Sequence, residues 1–86
     1  MINKKSAQSY RDLFDEGIIS KRQAQVLKTI FQLGQATNRM IAKKLDWDIN
    51  RVTGRVSELR EKHLVDHAGD YYDTQTERTV NLWKCL

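Results

Sequence analysis

Residues 47–65, WDINRVTGRVSELREKHLV, gather hydrogen-bonding side chains on one predicted helix. Ile49, Val52, Val56 and Leu59 recur at helical spacing, so the segment should bury that stripe. At about 100° per residue, the opposite face holds Asn50, Gly54, Ser57 and Glu61. Arg51 and Glu58 flank one side, Thr53 the other, and Arg55 lies at the edge. Amide, guanidinium and hydroxyl groups donate and accept hydrogen bonds in defined directions. Such a face suits recognition of a polar surface. Gly54 stands at its centre, where a glycine costs a helix roughly 1 kcal/mol relative to alanine. A position without a side chain lets the backbone approach another surface closely.

Other chemistries are less well supplied. His63, Asp66, His67 and Cys85 are the possible metal ligands, and His63 and His67 have the four-residue spacing of a helical zinc pair. The helix should end between them, which breaks that geometry, so no metal and no cofactor is expected. Asp12, Asp15 and Glu16 in DLFDE are paired carboxylates, but they belong to an amphipathic helix. No nucleotide-binding glycine loop or nucleophile motif is present, so the chain is not expected to be an enzyme.

Eighty-six residues suit one domain with a small core. No apolar run approaches the roughly 20 residues that span a bilayer. MINKKSAQSY has lysines without an apolar segment behind them, so it is not expected to direct secretion. One cysteine, Cys85, fits a reducing cytoplasm. The net charge of +4 is unevenly spread. Between residues 20 and 47, Lys21, Arg22, Lys28, Arg39, Lys43 and Lys44 outweigh one acidic residue, Asp46. Such an excess fits an anionic partner or a solvated helix face.

Four helices and a hairpin must position these groups. AQSYRDLFDEG predicts a short helix with Tyr10, Leu13 and Phe14 on one side, ending at Gly17. Ser20 and Gln23 form a capping box for the second helix, whose face is Ala24, Leu27, Ile30 and Phe31 and whose end is Gly34. Thr37 caps NRMIAKKL, with Ile41 and Leu45 inward and Ala42 small enough to admit another helix. Asp48 caps the fourth helix, with Trp47 and Val52 placed as a hydrophobic staple. LVDHA and TVNLWKCL read as strands, GDYYDTQTER as the polar turn region, and Asp73 to Arg78 as its tip.

Through TNRMIAKKLDWDINRVTGRVSELREKHLV the chain resembles a winged helix-turn-helix domain. The spacing from Leu45 to Leu59 to Leu64 is similar to that of MarR-type regulators, and GDYYDTQTERTVNLWK stands where the wing would be. With SYRDLFDEGIISKRQ included, residues 10–86 look most like small winged-helix proteins of phages and prophages. The resemblance implies a mainly α fold with a small β-hairpin wing (α+β). It divides residues 1–86 into an N-terminal helical extension (1–19), a three-helix core (20–63) and the wing (64–86). Two departures stand out. Position 63 is His where MarR-like proteins usually place Gly; His tolerates the left-handed conformation better than most residues. No long C-terminal helix like that with which MarR proteins dimerise is expected from these residues, so their ligand-sensing dimer is not an expectation here.

The resemblance implies sequence-specific binding to double-stranded DNA, as a transcriptional regulator or phage DNA-transaction accessory. Its location would be the bacterial cytoplasm or nucleoid. Helix 49–62 would enter the major groove by its N-terminal half, since Glu58 and Glu61 would be repelled by phosphates. Base reading would fall to Asn50, Arg51, Thr53, Gly54, Arg55 and Ser57, with Asn suited to adenine and Arg to guanine. Arg51 serves equally as a phosphate contact. Thr37, Asn38, Arg39, Lys43 and Lys44 would hold the backbone or remain solvated. At the wing tip, Gln75, Thr76 and Arg78 would lie near the backbone or minor groove, unless Arg78 pairs with Glu77 or Asp73.

A protein-interaction module without specific DNA binding is the alternative, because winged helices also serve that role. A homodimer or protein partner would then use the N-terminal helix or Trp83. Trp83 packs beneath the first helix, near Tyr10 and Phe14, or forms that interface. Tyr71 and Tyr72 alternate across the wing, so one of them should be exposed.

Overall fold

The computed structural model describes residues 7–86. The first six residues, part of the helical extension read from the sequence, lie outside them. Six elements follow one another: α1 (Ala7–Asp15), α2 (Lys21–Leu33), α3 (Asn38–Leu45), α4 (Ile49–Glu61), β1 (Val65–Asp73) and β2 (Arg78–Cys85). This is the α+β arrangement of a winged helix: a helical layer with one antiparallel hairpin against it. No described helix is long and apolar enough to cross a membrane.

Local chemistry explains where the helices start. Ser20 Oγ accepts from the Gln23 amide at 3.1 Å, and Gln23 Oε1 accepts from the Ser20 amide at 2.9 Å, which completes the capping box. Thr37 Oγ1 accepts from Met40 N at 3.2 Å, and Asp48 Oδ1 accepts from Asn50 N at 2.8 Å. Each cap satisfies a backbone donor that has no partner inside its helix.

Three helices end in the same way. Gly17, Asp46 and His63 take left-handed backbone angles, with φ of 79°, 58° and 61°. The following residue then turns back on the helix: Ile18 N donates to Leu13 O, Trp47 N to Ala42 O and Leu64 N to Leu59 O, at 2.9–3.0 Å. This is the Schellman closure. His63 therefore stops α4 as the sequence suggests. Asp46 is a stop that the apolar pattern did not reveal.

The core joins Val26, Leu27 and Ile30 of α2, Ile41 and Ala42 of α3, Val52, Val56 and Leu59 of α4, and Val65, Trp83 and Cys85 of the hairpin. Tyr10 and Ile19 close it on the α1 side, where the Tyr10 ring meets Phe31 edge-on at 5.5 Å. Among the described residues the Tyr10 hydroxyl is buried without an oxygen or nitrogen partner, and the Cys85 thiol stands beside it. Burial, chiefly, pushes that phenol well above its ordinary pKa.

Several expectations about burial are corrected. Ile49 is 42% exposed, because it lines the open groove between α3, the start of α4 and the wing. Phe14 is 41% exposed: α1 buries Tyr10, half-buries Leu13 and leaves Phe14 at its rim. Val26, absent from the expected stripe of α2, is fully buried, since that helix is covered by α1, α3, α4 and β2 together. Tyr71 and Tyr72 are both exposed, because the groove that Tyr71 lines between the wing and α3 is open.

The hairpin also differs from its sequence reading. β1 continues through Gly69 to Asp73, and the turn is confined to residues 74–77. His67 pairs with Trp83 and Gly69 with Leu82, so Ala68 is an extra residue that bulges the strand. Gly69 has φ of 135°, a value L-residues rarely adopt. An isolated pair of strands is marginal in water. Here the α2–α3 connection supports it: Ala36 N donates to Trp83 O at 3.0 Å, and Trp83 N donates to Ala36 O at 2.8 Å.

Candidate nucleic-acid interface

The outer face of α4 is open at its N-terminal half. Asn50, Arg51, Thr53 and Ser57 are exposed around a half-buried Gly54. A Cβ placed on Gly54 would meet nothing within 4 Å. Packing inside the protein therefore does not require the glycine.

The candidate side chains divide by what already holds them. Arg51 lies over the Trp47 ring, 5.8 Å from its centroid. That contact orients the guanidinium while leaving its N–H groups available. Arg55 is turned along its own helix onto Glu58, with Nε and Nη2 donating at 2.8 and 2.9 Å. Glu58 Oε1 also accepts from Gln23 Nε2 at 2.8 Å. Arg55, followed by Gln23, holds the Glu58 carboxyl below the usual carboxylate range. Gln23 thus works twice, capping α2 through its oxygen and bracing α4 through its nitrogen. The sequence signalled only the first role.

Asn38 is likewise engaged. Its oxygen accepts from the Trp83 indole at 2.9 Å, and its nitrogen donates to Thr53 Oγ1 at 3.3 Å. Thr53 in turn donates to Ile49 O at 3.0 Å. One amide thereby links β2, the start of α3 and the N-terminal half of α4. Trp83 is 6% exposed, with Arg60 above its ring at 4.8 Å and His67 against its edge at 6.0 Å. It is a core residue beside α3 and does not lie beneath α1, where Cys85 takes the place next to Tyr10. Its burial removes Trp83 as an interface residue.

Arg39 reaches across to the wing. Its Nε is 2.9 Å from Asp73 Oδ2, and its Nη1 donates to Gln75 Oε1 at 3.4 Å. Asp73 Oδ1 accepts from Gln75 N at 2.9 Å. These contacts, the Gln75 amide first and Arg39 after it, lower the Asp73 pKa. Asp73 is consequently a buried anchor rather than part of an exposed tip, and it pairs with Arg39, not Arg78. Lys43, Lys44, Gln75, Thr76 and Arg78 are exposed, while Thr37 is buried as a cap.

Between α3, the start of α4 and the wing runs a groove with Met40, Trp47, Ile49 and Tyr71 among its walls. Ile49 at its mouth was missed as a surface residue; its position directly after the Asp48 cap was the available signal. The weighed metal ligands do not converge. Cys85 is buried with its thiol 3.6 Å from Leu27 O, and His67 faces Asp70 at 3.4 Å. Among the described residues no group of three or more His, Cys, Asp or Glu side chains could hold a metal ion.

Solved structures share this arrangement. A possible transcriptional regulator from Methanosarcina mazei Go1 superposes with a TM-score of 0.68 at 17% identity, over 91% of this chain and 66% of that one. A mutant MarR from E. coli superposes with a TM-score of 0.68 at 22% identity, over 96% and 57% respectively. The likeness is one of fold, and the chain spans less than two thirds of the length of either neighbour. No family model and no curated protein matches the chain.

Proposed function

We propose that the chain is a non-catalytic, sequence-reading binder of double-stranded DNA, acting as a transcriptional regulator or a phage DNA-transaction accessory in the bacterial cytoplasm or nucleoid. The observation that carries this reading is the open face around Gly54. A helix flank with polar side chains and a bare centre is suited to close approach by a groove. α4 would enter the major groove by its N-terminal half, with Asn50, Arg51, Thr53 and Ser57 at base edges. Arg55 takes a lesser part because Glu58 holds it. Lys43 and Lys44 supply backbone contacts, and Arg78 on the wing approaches the backbone or minor groove. Names of the fold neighbours, a possible transcriptional regulator and MarR, support the same reading.

Selection from a pool of random duplexes at low salt tests it. Enrichment of a defined sequence is the expected result, with a log–log salt slope of about −4 to −5 for four to six phosphate contacts. No enrichment would overturn specific DNA binding.

A second reading has one observation in its favour. Phe14 and Ile18 near the end of α1 are 41% and 46% exposed. A protein-interaction module, or a homodimer through α1, would cover them. Binding through that end would be insensitive to changes on α4.

A further inference from the structure

Asp73 and Arg78 stand opposite one another in the hairpin ladder. Cross-strand neighbours of opposite charge ordinarily attract. Here both oxygens of the Asp73 carboxylate are already taken. Oδ1 accepts from Gln75 N at 2.9 Å and Oδ2 from Arg39 Nε at 2.9 Å. The Asp73 side chain is 11% exposed, against 45% for Arg39. The same residue closes the turn through its backbone, since Glu77 N donates to Asp73 O at 2.7 Å. Glu77, at φ 57°, completes the reversal. Arg78 remains exposed and has no ion pair among the described residues.

We propose that Arg39 is a positioning residue: by occupying Asp73 it fixes the wing turn against α3 and keeps Arg78 turned outward, available to the phosphate backbone of duplex DNA. The inference rests on the DNA reading above and adds a role that a surface arginine does not otherwise have. A buried carboxylate demands a counter-charge. Arg39 supplies it from α3, so the cation opposite in the ladder is not drawn in. Removing Arg39 leaves Arg78 to take its place, and the wing loses its outward charge and its tie to α3 together.

The competing role for Arg39 is a direct phosphate contact. The Asp73→Asn variant separates the two by sign. Under simple electrostatics, deleting a negative charge beside DNA strengthens binding. Asp73→Asn leaves no carboxylate to draw Arg78 in, but it cuts the tie between the wing turn and α3. Under the proposal that loss dominates, and duplex binding weakens by roughly two- to five-fold, the range of a partly exposed ion pair. Arg39→Gln weakens it by at least as much. The double variant should be no weaker than Arg39→Gln alone, and Arg78→Ala should have little further effect in the Arg39→Gln background. Native-state amide exchange gives a second readout: Gln75, Thr76 and Glu77 should exchange faster in both single variants, with α2 and α4 unchanged as controls for folding.

Equal or tighter binding by Asp73→Asn overturns the proposal. So does unchanged exchange in the turn, or a fall of about one in the salt slope of Arg39→Gln with the turn intact, which marks a lost phosphate contact. If the wild-type chain binds no duplex, the DNA reading fails by itself. Exchange at Gln75 and Thr76 then decides whether Arg39 fixes the turn.

Discussion

The indole N–H of Trp83 donates to the side-chain oxygen of Asn38 at 2.9 Å, which fastens the last strand to the first turn of α3. Trp83→Phe keeps an aromatic ring but leaves that oxygen without its donor. The expected loss is about 1–3 kcal/mol, the cost of an unsatisfied, partly buried polar group. Asn38→Ala strands the indole N–H in the same way. Thermal melting of both single variants and the double variant should show clear non-additivity. Additive losses would mean that the two groups are not coupled.

Gly54 has empty space where a side chain would begin. Gly54→Leu should therefore leave the fold intact and stabilise the helix by up to about 1 kcal/mol. Binding to duplex DNA should be lost, because the new side chain fills the surface that must approach the groove. Melting and a binding titration on this one variant read both effects. Normal binding would move the reading face elsewhere.

Arg51 and Arg55 are four residues apart on one helix, yet their surroundings predict unequal effects. Arg51→Ala should weaken specific binding by roughly 1–3 kcal/mol and relax selectivity at one base pair. Arg55→Ala should change affinity less, because its guanidinium is engaged by Glu58 at 2.8 and 2.9 Å. Equal losses would show that DNA draws Arg55 off Glu58.

His63 closes α4 with φ of 61°. A left-handed residue other than glycine carries a steric cost of roughly 1–2 kcal/mol. Glycine relieves it but gains freedom in the unfolded chain. His63→Gly should leave a net gain of about 0.5–1 kcal/mol after both effects. A domain this small would show it as a rise of several degrees in melting temperature; a fall would reveal a stabilising contact by the imidazole.

The wing turn should also respond to acid. Asp73 is held below the usual carboxylate range, first by the Gln75 amide and then by Arg39. A carboxyl whose folded pKa is lowered stabilises the fold fully above its unfolded value, near about 4. That contribution disappears as pH falls through the lower folded value. Protection of the Gln75 amide should thus be constant from neutral pH down to about 5 and fade below 4. Loss of protection already between pH 7 and 6 would exclude Asp73 as the cause.

What could be read from the sequence follows physical lines. Ser20 with Gln23, Thr37, Asp48 and His63 marked helix boundaries because capping acts within a few residues. Val52, Val56 and Leu59 marked the buried side of α4 because helical period is a local property. Ile49 misled, since burial in a first turn depends on what lies beyond the helix end. Trp83 was placed among the wrong neighbours, because strand alternation gives a side but not the element on that side. The pairing of Arg39 with Asp73 spans 34 positions and depends on the wing folding back over α3. No local pattern encodes that contact. In the candidate interface, exposure of Asn50, Arg51 and Ser57 was legible from the helical wheel, whereas the occupation of Arg55 by Glu58 was one of several i,i+3 possibilities.

The bulge at Ala68 bears on how molecules of this protein meet one another. β1 is an outer strand of a two-stranded sheet, and among the described residues β2 is tied on its far side only at Trp83, by Ala36. An outer strand with regular spacing offers a template on which a foreign chain can add and begin to aggregate. The extra residue breaks that spacing midway, and Asp66 and Asp70 set charge on either side of the break. By the same principle, the break in spacing should make edge-to-edge growth of sheets in a crowded solution of the protein less favourable than an unbroken strand would.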